Sequence, residues 1–278
     1  MYKTLLIFSL INGCFFGAIH AQKNSKKETK AERKARINAL AKQAEEGATI
    51  FNKQFVYGAF SNVDGFGVFV EKAKLKNSRV ATLYHVSLSN HTHPKEERAS
   101  NISSAGPVIL QTNPFVYGKI NNFYQLGIMY GQQRVIGNKA NKNGIEVQGI
   151  IKGGLSLGLL RPYYTKVDFS PVAGANVDVR NVKYQGSNTL TQTNLLNPDR
   201  IISGTRAKYG WTDMQVNPGL KLHTGLRFDF GRQADRVMAV ELIMAAEYFP
   251  KAVAQMVKSK PKNIFFTSGI AIMIGNRK

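Results

Sequence analysis

The stretch Lys221–Gly231, KLHTGLRFDFG, decides the fold. Successive side chains of an extended chain point to opposite faces. Leu222, Thr224, Leu226, Phe228 and Phe230 therefore share one face, and Lys221, His223, Arg227 and Asp229 the other. A strand at the surface of a soluble domain alternates in the same way, with its apolar side on a core and its polar side in water. A strand whose apolar face meets lipid and whose charged face lines a closed barrel gives the same pattern. The rest of the chain has to choose between them.

Seven further segments carry the two-residue period, so that the full set is 52–60, 65–75, 79–90, 122–136, 145–161, 216–231, 236–249 and 263–275. Connections 76–78, 137–144 and 232–235 are short, whereas 91–121, 162–215 and 250–262 are long. The two kinds alternate, which puts all long loops at one end; only the hairpin signal Asn62-Val63-Asp64-Gly65 is short there. An even strand count with short turns on one side is the layout of outer-membrane barrels. The strands are long enough for a tilted crossing of about 9 to 11 residues, and closure pairs every backbone group without water. The expected fold is all-β: an eight-stranded antiparallel up-and-down transmembrane β-barrel with a short basic N-terminal tail of helical pattern.

The first residues agree. MYKTLLIFSLINGCFFGAIHAQ has Lys3 at the front, an apolar run to about Ala18 and a small residue at Ala21, the pattern of a secretory signal over 1–21. The competing reading is a lipoprotein signal ending at Cys14, the single cysteine, in the loose lipobox Ile11-Asn12-Gly13-Cys14. On the first reading the mature chain has no cysteine, which excludes a disulfide framework and a thiolate nucleophile or ligand. No later window reaches the roughly 20 apolar residues of a membrane-spanning helix. The formal net charge of +21 directs an exported protein to anionic lipid head groups or polysaccharide before nucleic acid. Residues 22–48 form a basic periplasmic tail, in which Ser25 and Glu28 have capping-box spacing and Ile37, Leu40, Ala41 and Ala44 make a narrow stripe. The barrel then occupies 49–278.

With Leu226 facing lipid, the opposite parity lines the lumen. Glu71, His85, Glu146, Lys152, Lys221, His223, Arg227, Asp229, Glu241 and Glu247 are the expected interior polar network. A buried charge must be paired, and acids and bases can neutralise one another across a barrel narrow enough for side chains to fill it. His85 with Glu71 and His223 with Asp229 are candidate proton-relay pairs. Glu241 and Glu247 are the candidate partners of Arg227. Tyr57, Phe66, Tyr84, Tyr124, Tyr130, Phe230 and Tyr248 are candidates for interfacial aromatic girdles.

The blocks FVYGKINNFYQLGIMYGQ (115–132), GGLSLGLLRPYY (153–164), AEYFPK (246–251) and the ending FFTSGIAIMIGNRK resemble an uncharacterised outer-membrane β-barrel family of the Bacteroidota. The resemblance runs over about residues 50–278. It implies the fold and an outer-membrane location, and no chemistry, because that family carries no assigned activity.

Three places hold candidate chemistry. His91 and His93, in HTHP after the third strand, have the spacing of a metal pair or of a base in a lipid hydrolase or acyltransferase. Neither a nucleophile signature nor a carboxylate-rich segment accompanies them, so no cofactor and no metal are expected. Gly153, Gly154 and Gly158 superficially suggest a phosphate loop, but fit better as room for bulky lumenal neighbours. Arg161, Lys166, Arg180, Lys183, Arg200, Arg206 and Lys208 are interspersed with aromatics in or beside the longest loop and form a candidate site for anionic ligands. The function expected is a non-enzymatic envelope barrel with a structural, assembly or surface-binding role; the alternative is an outer-membrane lipid-modifying enzyme using a loop histidine. The expected partners are outer-membrane lipid, lipopolysaccharide and envelope proteins, without nucleic acid and without general porin activity.

Overall fold

In a computed structural model, residues 51–77, 79–100, 102–105, 108–111, 113–139, 144–170, 178–186, 195–205, 208–231 and 235–278 are described, with backbone alone for 102–111. The signal segment 1–21, the basic tail 22–48, Arg206 and parts of the short turns lie outside the described residues.

The eight alternating segments are eight barrel strands: β1 (Lys53–Asn62), β2 (Gly65–Asn77), β3 (Val80–His91), β4 (Asn121–Gly137), β5 (Glu146–Pro162), β6 (Gln215–Asp229), β7 (Arg236–Val253) and β8 (Lys262–Arg277). Each pairs antiparallel with its neighbours in sequence, and β1 closes on β8 from Gln54↔Arg277 to Asn62↔Gly269. The barrel is therefore up-and-down and has no free edge. β7 runs four residues beyond the expected end at 249, past a register irregularity between Tyr248 and Val253.

The stagger of the closure follows from the register. From Lys53 the cross-strand partners run through Lys74, Thr82, Gln132, Ile151, Thr224 and Met244 to Ser268. The Ser268 carbonyl accepts from the N–H of Val63 at 3.0 Å, ten residues along the chain from the starting point at Lys53. A shear of about ten over eight strands requires a tilt of about 40° and makes each row of partners climb about one and a quarter residues per strand. At that tilt a residue adds about 2.4 Å of height, so the outward apolar run Met238–Tyr248 of β7 covers about 24 Å, close to the usual lipid-facing belt.

The inside-outside assignment holds along every strand. Leu222, Leu226, Phe230, Leu242, Met244 and Ile272 are exposed, while Arg227 and Asp229 are 1 % and 0 % exposed. Of the girdle candidates, Tyr57, Phe66, Tyr84, Tyr130, Phe230 and Tyr248 face outward and are exposed. Tyr124 also faces outward, but Trp211 stacks on it at 5.9 Å. The lumen is not uniformly polar. Val56, Phe60, Phe69, Val237, Ala239, Ile243, Ala271 and Met273 pack into one apolar cluster on the β1, β2, β7 and β8 wall.

The long loops carry structure that strand periodicity did not reveal. Tyr164–Asp168 is the middle strand of a three-stranded sheet with Val179–Lys183 and Ile201–Gly204, and Arg98–Ala99 pairs with Phe115–Val116. Phe115, Val167, Leu195 and Ile201 are buried together as a second, smaller core, to which both long loops contribute. The third loop is tied in as well, through Val257 N–H to the Gly118 carbonyl and Ile120 N–H to the Gln255 carbonyl, each at 2.8 Å.

Candidate functional site

All ten expected interior residues are buried in the lumen. At the centre the Arg227 guanidinium bridges two carboxylates on different walls. Its Nη2 donates to Glu71 Oε1 of β2 and to Glu241 Oε2 of β7, each at 2.7 Å, and Nη1 donates to Gln133 Oε1 at 3.2 Å. Lys152 adds a second cation, with Nζ 3.1 Å from Glu71 Oε2 and 3.7 Å from Glu241 Oε1. His85 Nδ1 lies 3.0 Å from Glu71 Oε2, and His223 Nε2 2.8 Å from Glu241 Oε1. Two acids, an arginine, a lysine and two imidazoles thus form one network. It satisfies the requirement that buried charge be paired and hydrogen-bonded.

Smaller groups flank it. Lys221 and Glu247, directly opposed across β6 and β7, form an ion pair at 2.6 Å. Asp229 pairs with Arg277, and Lys139 stands 3.8 Å away. Gln148 Nε2 donates to Glu146 Oε1 at 2.6 Å. His85 meets Glu71 as expected, but His223 does not meet Asp229. The two are six residues apart on one strand, which separates them by about 20 Å. The partner of His223 is Glu241 instead.

Aromatic and apolar side chains fill the lumen around the central network. Towards the long loops, Phe123, Phe249 and Phe265 form a plug with ring centroids 5.5 to 5.9 Å apart. Its seat is made by Gly158 and Gly219, where an added Cβ would stand 3.0 Å and 2.5 Å from the Phe249 ring. Towards the short turns, Phe51, Ala73, Ala81, Leu83 and Ile150 are buried together. Between them a cavity of ≈ 20 Å³ touches His85, Lys152, His223 and Glu241, room for about one water. Planar-bilayer recordings of the pure protein are therefore expected to show no large, stable conductance. A steady open channel would contradict the plugged lumen.

The two candidate catalytic histidines differ from the sequence expectation and from each other. His91 is the last residue of β3, not a loop residue, and is 3 % exposed. Its Nδ1 lies 2.8 Å from Asp64 Oδ2, and a carboxylate only accepts, so Nδ1 carries the proton. Its Nε2 lies 3.0 Å from Ser89 Oγ. The order serine, histidine, aspartate is that of a nucleophile relay, but Ser89 is only 4 % exposed and the Phe123 ring lies 5.6 Å from the imidazole. A substrate carbonyl has no approach to Ser89. His93 sits in the loop, where Lys95 N–H donates to its Nδ1 at 3.1 Å. Burial and Lys262 hold its pKa below the ordinary imidazole value, so it is neutral at physiological pH with its proton on Nε2, facing Ser259 Oγ at 3.1 Å. A protonated nitrogen cannot take the serine's proton.

The candidate anion loop is largely self-neutralised. Arg161 belongs to β5 and lies over Tyr124 and Trp211, 5.4 and 4.8 Å from their centroids. Arg180 pairs with Asp178 at 2.6 Å. Lys183 pairs with Asp213 at 2.7 Å; that bond and the Tyr164 hydroxyl hold the Asp213 pKa below its usual value. Lys166, Arg200 and Lys208 are left on the surface of the loop sheet and its flanks, so the six described residues of the set do not form one basic site.

No family model and no curated protein sequence matches the chain. Among solved structures, the chain is similar to Ail, the attachment invasion locus protein of Yersinia pestis, at 9 % identity and TM-score 0.34, over 81 % of this chain and 96 % of that one. The N-terminal β-barrel domain of Pseudomonas aeruginosa OprF aligns at 8 % identity and TM-score 0.32, over 81 % and 98 %. A major outer membrane protein from Thermus thermophilus gives 8 % and 0.34, over 80 % and 98 %. Similarity this low carries nothing about chemistry or location to this chain.

Several lumenal residues escaped the sequence reading. Gln133 accepts from Arg227, Arg277 and Gln54 gather around Asp229, and Asp64 and Ser89 hold His91. All but Asp64, which lies in the β1–β2 turn, occupy inward positions of the same alternation. Extending the parity argument from charged residues to every polar one would have found them.

Proposed function

We propose that this chain is an outer-membrane β-barrel of non-enzymatic character, which holds a closed, charge-filled lumen in the membrane and displays a self-packed loop layer outside it. One observation carries the reading: the polarity is inverted relative to a soluble barrel. Leu222 and Met244 are 53 % and 66 % exposed on the outer wall, while Arg227, Glu71 and Glu241 are each 1 % exposed within. A soluble protein has no use for a continuous apolar wall facing water, whereas lipid requires one. The signal pattern read in the sequence of residues 1–21 supports the same location. The role favoured is structural or surface-binding, since the loop layer has its own core and can present a fixed face to surface glycolipid or an envelope protein. The closed surroundings of Ser89 and His91 weigh against the lipid-modifying alternative.

Cell fractionation with gel electrophoresis of boiled and unboiled samples tests this. The protein is expected in the outer-membrane fraction, with a band whose mobility shifts on boiling. Recovery from the soluble periplasm without such a shift would overturn the proposal.

A further inference from the structure

The outer wall is not apolar throughout. On β2 its outward residues change abruptly from Phe66, Val68 and Val70 to Lys72, Lys74 and Lys76 towards the short-turn end. On neighbouring β1, Lys53 also points outward, directly opposite Lys74. Two like charges opposed across a strand pair repel unless an anion lies between them. Among the described residues none of these four lysines makes an ion pair. No Asp or Glu occupies an outward position of any barrel strand; every strand acid faces the lumen.

The same level of the wall carries further cations. Allowing for the climb of about one and a quarter residues per strand, outward-facing Arg134 on β4 stands about level with Lys74, and Arg236 on β7 about level with Lys76. Immediately loopward of Lys72 the wall is hollowed above the small side chain of Ala59. This apolar depression of ≈ 650 Å³ is lined by Tyr57, Val68, Val70, Val86, Ile272 and Ile274, so it runs over the outer faces of β8, β1, β2 and β3. Partner register joins the two features, for Tyr57 opposes Val70 one outward step from the Phe55–Lys72 pair.

We infer that Lys53, Lys72, Lys74 and Lys76, with the depression above them, form a binding site on the outer wall for an anionic glycerophospholipid of the short-turn-side leaflet. The inference rests on the membrane reading above and adds to it the leaflet, the lipid class and the residues. The occupant follows from position. A side chain on the outer wall just beyond an acyl-facing belt lies at head-group depth, and lysines extend their ammonium groups to that depth along their own stems. The phosphodiester neutralises the Lys53–Lys74 repulsion, and an acyl chain fills the hollow over Ala59. The wall at the long-loop end presents mainly Phe66, Asn90, Asn122, Val216, Pro218 and Tyr248, which gives an anionic head group no comparable cluster.

The test is to fold the purified protein into vesicles of phosphatidylcholine mixed with phosphatidylglycerol, extract it in mild detergent and count retained lipids by native mass spectrometry. Folding into pure phosphatidylcholine, read from the boiling-dependent mobility shift, is scored separately. The wild-type protein should fold in both and retain phosphatidylglycerol with a preference on the order of fivefold that declines with salt. The variant Lys53→Gln/Lys72→Gln/Lys74→Gln/Lys76→Gln should fold equally well in phosphatidylcholine and lose the preference. Lys251→Gln/Lys262→Gln, at the opposite rim, should keep it. Equal retention of both lipids by the wild-type protein, or an undiminished preference in the fourfold variant, overturns the site. Loss of the preference in the opposite-rim variant overturns its assignment to the short-turn leaflet. Failure to enter either vesicle removes the membrane reading and the site with it.

Discussion

Arg227→Leu should be the most damaging single substitution in the barrel, costing about 3 to 5 kcal/mol. The leucine fits the lumen sterically, so the loss is electrostatic. Glu71 and Glu241, buried on different walls, would share Lys152 as their one remaining lysine or arginine partner in the network, 3.1 Å from one and 3.7 Å from the other. Arg227→Lys should lie between, because an ammonium keeps the charge but lacks the planar fork that reaches both carboxylates at once. Adding Glu241→Gln alone to Arg227→Leu should recover much of the loss, since the remaining Glu71 then pairs one to one with Lys152, 3.1 Å away. Urea unfolding in detergent micelles or lipid vesicles measures all three. A silent Arg227→Leu would mean that the residue faces water, and the lumen assignment would fail.

The sequence made this much of the site legible for a simple reason. A period of two fixes the face of every residue once one strand is oriented, so Arg227 and Leu226 could be separated without coordinates. Adjacent-strand pairing was legible in part: of the two acids expected for Arg227, Glu241 opposes it across the short β6–β7 turn, while Glu247 opposes Lys221 instead. Contacts across the lumen were not. Whether Arg227 meets Glu71, 156 residues away, depends on strand count and shear together, and neither is written locally. The loop layer was obscure for another reason. Its strands are two to five residues long, too short for alternation to rise above chance, and its core of Phe115, Val167, Leu195 and Ile201 is gathered from two loops.

Shear also refines what arginine should do on the lipid face. Leu222→Arg is expected to destabilise the barrel by about 2 to 4 kcal/mol, the range for an arginine near the bilayer midplane. Leu226→Arg, four residues nearer the short turns, should cost clearly less. The two leucines are similarly exposed, at 53 % and 44 %, so exposure alone would rank them together. Depth separates them. With the climb of the rows included, Leu226 stands within about one residue of the level of Lys72, the deepest cation on the outer wall, whereas Leu222 lies near the middle of the apolar run on β6. An arginine at 226 can reach the head groups at the depth Lys72 already serves, and one at 222 has no such route within reach. Equilibrium folding of both variants into vesicles, with lipid-phase labelling of single cysteines at 222, 226 and 227, measures cost and depth together. Equal costs would mean that the cation level does not mark the edge of the belt. Lipid-phase labelling at 227 in place of 226 would reverse inside and outside for the whole strand.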